Sequence, residues 1–418
     1  MERTTCLVVG GGPAGMVLGL LLARGGVEVT VLEKHGDFLR DFRGDTVHAS
    51  TLTLLDELGL GPAFAQVPQQ RVDKIESLLE DGGKAAIADL SRLPGAHKHI
   101  AMVPQWDFLD LLADAGKVEP TFSLRMNTEV TGITKQGNKI TGVTYRDRTD
   151  GRTGEFAADL VVAADGRGSI LRDAVDLPVH SFGAPMDVWW FRLPRKESDD
   201  VKGGAGRFSS GSALVLIPRG EYFQCAFLIR KGSDRQLRAE GVEKFRERVT
   251  TLVPWLADRV DHIESMDDAK LLDVKLDRLK RWHVDGLLCI GDAAHAMSPI
   301  GGVGINLAVQ DAVATARLLA KPLREGTVNG AGLAKVRRRR WFPTVLIQTM
   351  QRVIQGRFLK RVVEGDAAVA SSGVPAPLRL LQRFPRLQAI PAYMVAIGPR
   401  PEHAPDFARR APQTIVRS

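Results

Sequence analysis

The stretch TTCLVVGGGPAGMVLGLLLARGGVEVTVLEK, residues 4–34, carries the most specific structural signal in the chain. An apolar run from Cys6 to Val9 enters three glycines, then Pro13-Ala14-Gly15 and a helix-forming stretch that stops at Gly25-Gly26. VEVTVLE follows with the alternation of a second strand. Strand, glycine turn, helix and strand together build a parallel sheet with a right-handed crossover. The turn itself, Gly10-Gly11-Gly12-Pro13-Ala14-Gly15, has the pattern GxGxxG. Gly10 permits the tight bend, Gly12 lets a pyrophosphate approach the backbone, and Gly15 lets helix and strand pack closely. Pro13 and Ala14 open a helix whose unpaired N–H groups and positive end suit phosphates. Glu33 closes the second strand about twenty residues on, where an acid accepts hydrogen bonds from ribose hydroxyls. An acid there disfavours a 2′-phosphate, so FAD or NAD is expected rather than NADP.

Working outward, 418 residues exceed what a single core usually holds, and two intertwined domains are expected. Hydrophobic content of 44% and charged content of 25% are those of a soluble globular protein, with no apolar run long enough for a transmembrane segment and no signal-peptide layout at the N-terminus. A cytoplasmic location is expected. Cys6, Cys225 and Cys289 are scattered within apolar stretches, which suits buried small hydrophobes rather than a disulfide or metal site. The net charge of +8 concentrates after Lys321, with Arg337, Arg338, Arg339 and Arg340 in sequence. Aromatic interleaving there is thin, so nucleic acid is not expected and the run reads as a solvated helix face. Helices are predicted near Thr51–Leu60, Gln105–Ala115 and Val242–Leu256. From about Pro178 to Arg281 the strand candidates MDVWWFRL, SALVLIPR and EYFQCAFLIRK dominate. The helical segment Trp341–Val363 places Phe342, Leu346, Met350, Val353 and Ile354 in a stripe. That stripe suits packing on the nucleotide domain, and peripheral membrane contact stays open.

Two further motifs stand in order behind the first. Asp165-Gly166-Arg167-Gly168-Ser169-Ile170-Leu171-Arg172 follows the buried-strand pattern LVVAA. Gly291-Asp292-Ala293-Ala294-His295 follows LLCI and continues to Pro299, Gly301, Gly302, Gly304 and Asn306. Over roughly residues 4–320 the three together resemble the single-component FAD-dependent aromatic hydroxylases typified by para-hydroxybenzoate hydroxylase. The fold this implies is α/β: a Rossmann-type FAD-binding domain (residues 1–72, 104–177 and 282–335) with an inserted, mainly antiparallel substrate sheet (73–103 and 178–281) and a C-terminal helical, Pro-rich tail (336–418).

The resemblance also implies roles. Asp292 accepts from a ribityl hydroxyl, and Asp165 and Gly166 back the pyrophosphate. Gln105 binds the ribityl chain, and Arg43 lies near the adenosine and ribityl portions. Pro299 presents its carbonyl to the isoalloxazine, while Gly301, Gly302 and Gly304 leave room beside it. The helix opening near Asn306 stabilises the reduced ring. Arg172 reads as a scaffold ion pair; His48 and His295 are structural histidines or proton acceptors, and no general base is evident. The implied activity is NADH- or NADPH-dependent hydroxylation of an aromatic or similar small substrate by O2, through a flavin C4a-hydroperoxide. A same-fold reductase or dehydrogenase without oxygen insertion, or a non-catalytic FAD-binding protein, are the competing readings. For the substrate pocket, Trp190 and Arg192 share one face of a strand, opposite to Trp189 and Phe191, and Tyr222 is a further candidate. No metal is implied, and the oligomeric state is left open, a dimer included.

Overall fold

The structure, a computed structural model, describes residues 2–39, 46–78, 84–199, 201, 203–209, 211–365 and 376–412. The glycine-rich unit forms as its pattern predicts: strand Glu2–Val9, helix Pro13–Arg24, strand Val29–Leu32. These strands lie in a parallel sheet ordered Leu287–Cys289, Thr153–Ala163, Glu2–Val9, Val29–Leu32, Phe122–Arg125. Gly19 decides how closely the helix sits. A Cβ there would lie 2.7 Å from Val31 and 2.8 Å from Phe122, so only glycine lets the helix reach the sheet. Leu18, Leu20, Leu21 and Leu22 are fully buried, each contributing about 1.5–3 kcal/mol against exposure. The three cysteines are buried within strands Glu2–Val9, Tyr222–Arg230 and Leu287–Cys289.

A second, seven-stranded sheet runs Lys270–Leu272, Met186–Pro194, Tyr222–Arg230, Ser212–Arg219, Gly204–Ser209, Lys74–Leu78, Lys84–Asp89. Every neighbouring pair is antiparallel except Gly204–Ser209 with Lys74–Leu78. The early stretch 73–103 therefore divides. Lys74–Leu78 and Lys84–Asp89 extend this sheet, whereas Ile100–Met102 pairs with Thr46–Val47 and Gln70–Val72 in a small separate sheet. Alternation sorts the large sheet's faces. Trp189 and Phe191 pack on Phe245 of helix Val242–Leu252, each ring pair 5.1 Å apart between centres, while Trp190 faces the other way.

Helix Val303–Arg324 packs on the Pro13 helix, and helix Gly330–Ile354 packs on it in turn, continuing through a π-helical turn at Gln355–Leu359 into Lys360–Val363. The prolines of the tail limit its later helices to eight residues each, Ala376–Arg383 and Ala389–Ala396. No helix among the described residues is long and apolar enough to cross a membrane.

Two expectations about the tail are corrected. Only half of the arginine run is a solvated face: Arg338 is exposed and Arg337 half-buried, whereas Arg340 is fully buried, its Nε 3.0 Å from Asp311, and Arg339 makes a bidentate pair with Glu402 at 2.7 Å for each bond. The buried stripe of the Gly330 helix and of the π-helical turn that continues it is also more polar than predicted. Phe342 is 58% exposed, whereas Gln348, Gln351 and Gln355 are buried.

Candidate active site

The three motifs converge on one cavity of about 1730 Å3 between the two sheets. Its nucleotide end is walled by Gly12, Pro13 and Ala14, by Gln105, and by Asp165 and Gly166. Asp292, Pro299, Gly301, Gly302 and Gly304 form the side next to them. Trp190, Phe208 and Phe358 lie among apolar residues of the far end, which the large sheet and the tail enclose.

Two helices begin at this wall without a side-chain cap. Gly12 is the N-cap of Pro13–Arg24, and Gly302 that of Val303–Arg324. Their first-turn N–H groups have no intrahelical partners, and both positive ends meet the same cavity. A Cβ on Gly12 would meet nothing within 4 Å, so this glycine borders open space rather than packed atoms. Gly10 and Gly15 lie behind the turn. Gly10 has φ +109, and a Cβ there would come 2.4 Å from the Ala164 carbonyl oxygen; one on Gly15 would fall 1.9 Å from that of Gly10. Gln105 opens its helix on the wall, and its amide is bonded to no described residue.

Asp292 accepts from the Arg167 guanidinium at 3.0 Å, which ties the second motif to the third. Burial pushes the Asp165 carboxyl up from its ordinary value, and among the described residues neither of its oxygens has a hydrogen-bond partner. Arg172 lies 3.8 Å from Asp277, the scaffold pair expected of it. Glu33 is buried at its strand end, accepting from Gly11 N at 3.0 Å and His35 N at 3.1 Å. It stands beside the cavity, not on its wall.

The Pro299 turn is held from behind. Gly301 and Gly302, with φ +76 and +63, occupy the left-handed region, so the backbone itself demands glycine there. Pro299 lies on the wall, but its carbonyl accepts from Gly302 N at 3.0 Å. One of that carbonyl's lone pairs is thus committed inside the turn, which modifies the expectation that it is presented outward. Behind it stand the three glutamines. Gln351 Nε2 donates to the carbonyls of Ser298 and Ile300, both at 3.0 Å, and Ser298 N donates back to its Oε1 at 3.2 Å. Gln348 Nε2 holds the carbonyls of Asp277 and Ala296, and Gln355 donates to the Ser298 hydroxyl. Sequence reasoning missed these residues. Their 3-and-4 spacing was visible, but glutamine at that spacing also suits a wet face.

Neither histidine is placed as a general base. His48 is fully buried, with Nδ1 2.8 Å from the Val395 carbonyl, and burial pushes its imidazole down to about 4. His295 meets Asp311 at 2.5 Å, and Asp311 also receives Gly291 N and Arg340. Burial raises the Asp311 carboxyl, but His295 and Arg340 outweigh it and hold it below the usual carboxylate range. Asn306 is buried, its Oδ1 accepting from Ser50 and Thr51, so its side chain braces helix Ala49–Glu57 rather than the cavity.

Of the pocket candidates, Trp190 lines the cavity, and its buried indole N–H has no hydrogen-bond partner among the described residues. Arg192 and Tyr222 do not line it. Arg192 shares Trp190's face but lies two residues further along, exposed, its guanidinium 4.8 Å from the Tyr222 ring centre. Arg43 lies outside the described residues. The uncapped helix ends, the open space at Gly12 and the unbonded Gln105 amide fit a dinucleotide laid along the nucleotide end.

A family model described as an FAD binding domain matches residues 3–346. The 6-methylpretetramide 4-monooxygenase of Streptomyces rimosus is 33% identical over 391 residues, which cover 93% of this chain and 91% of that one. Among solved structures, PqsL, a probable FAD-dependent monooxygenase from Pseudomonas aeruginosa, matches with a TM-score of 0.72 at 20% identity, covering 88% of this chain and 99% of its own. The p-nitrophenol 4-monooxygenase of Pseudomonas putida matches with a TM-score of 0.70 at 19% identity, over 93% and 99%. At such identities the two structures speak for the fold.

Proposed function

The chain belongs to the family of FAD-dependent aromatic monooxygenases, and on that premise we propose that it consumes NADH or NADPH and O2 to hydroxylate a multi-ring aromatic substrate. The observation that carries this reading is the single cavity in which two uncapped helix N-termini face an apolar, aromatic-walled chamber. Bound flavin would supply the redox and oxygen-transfer chemistry. The chain's part is placement. The Gly12–Gly15 turn takes the pyrophosphate, with Asp165 and Gly166 behind it, and Glu33 receives the adenosine ribose. Gln105 and Asp292 hold the ribityl chain. The Val303 helix N-terminus, at Gly304, puts positive potential where negative charge gathers on the reduced ring. Pro299, Gly301 and Gly302 form the wall beside that ring.

Size favours a large substrate. Single-ligand pockets usually span about 300–1,000 Å3. A cavity of about 1730 Å3 leaves room for a second molecule beside a dinucleotide. Trp190, Phe208 and Phe358 provide aromatic surface for stacked rings. The similarity to the 6-methylpretetramide enzyme over nearly the whole of both chains supports a substrate of that kind.

The test is to purify the yellow protein and follow NADH and NADPH oxidation with a panel from simple phenols to 6-methylpretetramide under isotopically labelled O2. Substrate-stimulated oxidation with one labelled oxygen in the product is expected, with multi-ring compounds turned over best. Equal turnover without O2, with another electron acceptor, would sink oxygen insertion. A preference for single-ring phenols would sink the size argument.

A further inference from the structure

The arginine run of the tail is only half explained by its buried ion pairs. Arg339 and Arg340 turn inward to Glu402 and Asp311. Arg337 turns the other way, its guanidinium 4.1 Å from the centre of the Trp341 ring. Arg278, from strand Asp277–Leu279, lies 4.4 Å from the same ring centre and 5.1 Å from that of Phe182. Arg352 lies 4.5 Å from Phe182. Arg337, Trp341, Gln348 and Arg352 share one face of the long helix, while Phe182 follows the short strand paired with Asp277–Leu279. The result is a row of three guanidiniums interleaved with two aromatic rings. None of these five residues lines the cavity.

The row is electrostatically incomplete. Among the described residues no carboxylate pairs with Arg278, Arg337 or Arg352. Burial, then the neighbouring charges of Arg352 and Arg337, pushes the Arg278 guanidinium below its ordinary value, and burial does the same to Arg337. His283 is lowered by burial and then by Arg281 and Arg337. Three cations gathered without an acid repel one another, and stacking on rings compensates only their faces. The in-plane N–H donors stay available for an oxyanion, which is how guanidinium recognises phosphate. Among the described residues, Arg337 Nε and His283 Nδ1 are buried with no hydrogen-bond partner, so Arg337 would meet a ligand through its terminal guanidinium nitrogens. Arg278 spends one N–H on Gln348 Oε1 at 2.9 Å.

We propose that the face formed by Arg278, Arg337 and Arg352 around Trp341 and Phe182 is an oligophosphate-binding site, separate from the cavity. The aromatic rings hold the three guanidiniums apart, so a chain of phosphates satisfies them where a single phosphate cannot. Both rings already carry guanidinium contacts, so the phosphates are recognised and not a stacked base. The ligand is free oligophosphate or the diphosphate of a nucleotide. Because Gln348 also holds the Ala296 carbonyl, the site is one side chain away from the segment that carries Pro299.

The experiment is calorimetric titration of the full chain, saturated with FAD, with pyrophosphate and separately with ADP. One saturable site that weakens with added salt is expected for both ligands. The double variant Arg337→Gln/Arg352→Gln should weaken it at least tenfold with unchanged FAD content and unfolding midpoint. The remote double variant Arg235→Gln/Arg386→Gln, which removes the same net charge, should leave it intact. Equal affinities assign the site to free oligophosphate and tighter ADP binding to a nucleotide, and either upholds it. Absence of saturable heat at millimolar pyrophosphate, or equal weakening by the remote variant, would overturn it. Should the first double variant unfold, Arg352→Gln alone, at an exposed position, serves as the second variant.

Discussion

Gln351→Leu tests whether the long helix holds the Pro299 turn in place. Gln351 is fully buried and makes three hydrogen bonds, donating to the carbonyls of Ser298 and Ile300 and accepting from Ser298 N. Leucine fills a similar volume, so the packing loss is small and the three backbone groups are left without partners. A buried polar group stripped of its hydrogen bond costs about 1–3 kcal/mol. Three of them set a ceiling of roughly 3–9 kcal/mol, and relaxation of the turn toward the cavity should reduce the observed loss to about 3–5 kcal/mol. The perturbation is local to the wall, so part of the loss should appear as weaker FAD binding. The assay is urea unfolding of apo and FAD-loaded protein beside a direct FAD titration. The variant should lose about 3 kcal/mol or more in the apo protein and bind FAD at least tenfold more weakly. Gln351→Glu, which can still accept from Ser298 N but faces two carbonyls with a carboxylate, should fall no less. If Gln351→Leu keeps its stability within about 0.5 kcal/mol and its FAD affinity unchanged, the glutamine latch carries no load and the reasoning fails.

Two glycine variants separate folding from binding: Gly15→Ala should lose both stability and flavin because its Cβ would strike the Gly10 carbonyl, whereas Gly12→Ala, bordering open space, should fold normally and lose FAD affinity, as unfolding curves and flavin stoichiometry will show. The His48 imidazole, held down to about 4 by burial against 6.5 when free, costs nothing above pH 6.5. As pH falls from there toward 4 the unfolded chain takes up a proton that the folded one refuses, removing up to about 3 kcal/mol. His48→Asn should flatten that part of the stability–pH curve; an unchanged slope would show that the imidazole is not buried as described. Arg340→Met leaves Asp311 without its guanidinium and should cost about 3–5 kcal/mol in urea unfolding. Arg338→Met, at an exposed neighbouring position, should fall within about 0.5 kcal/mol of the parent.

What the sequence determined by itself was local. Gly10, Gly15, Gly301 and Gly302 stand where the backbone or a close neighbour forbids a Cβ, and a requirement of that kind shows in residue type and spacing. The parallel sheet, the two uncapped helix starts and the order of the three motifs were legible for this reason. Strand alternation was legible as well, and it placed Trp189 and Trp190 on opposite faces. Only the tertiary structure decided which face meets the cavity, because that depends on where helix Val242–Leu252 docks. It also decided how far along the strand the wall extends, which includes Trp190 and stops before Arg192. The tail was least legible. Arginine and glutamine on a helix read as a wet surface until partners distant in sequence cover them. Asp311, Glu402 and the carbonyls of the Pro299 turn are such partners for Arg340, Arg339 and the three glutamines. Arg337 has no such acid among the described residues, so the same run of four residues is split by the fold into a buried brace and an unneutralised face. Charge burial depends on contacts made across the whole chain, and no local pattern encodes it.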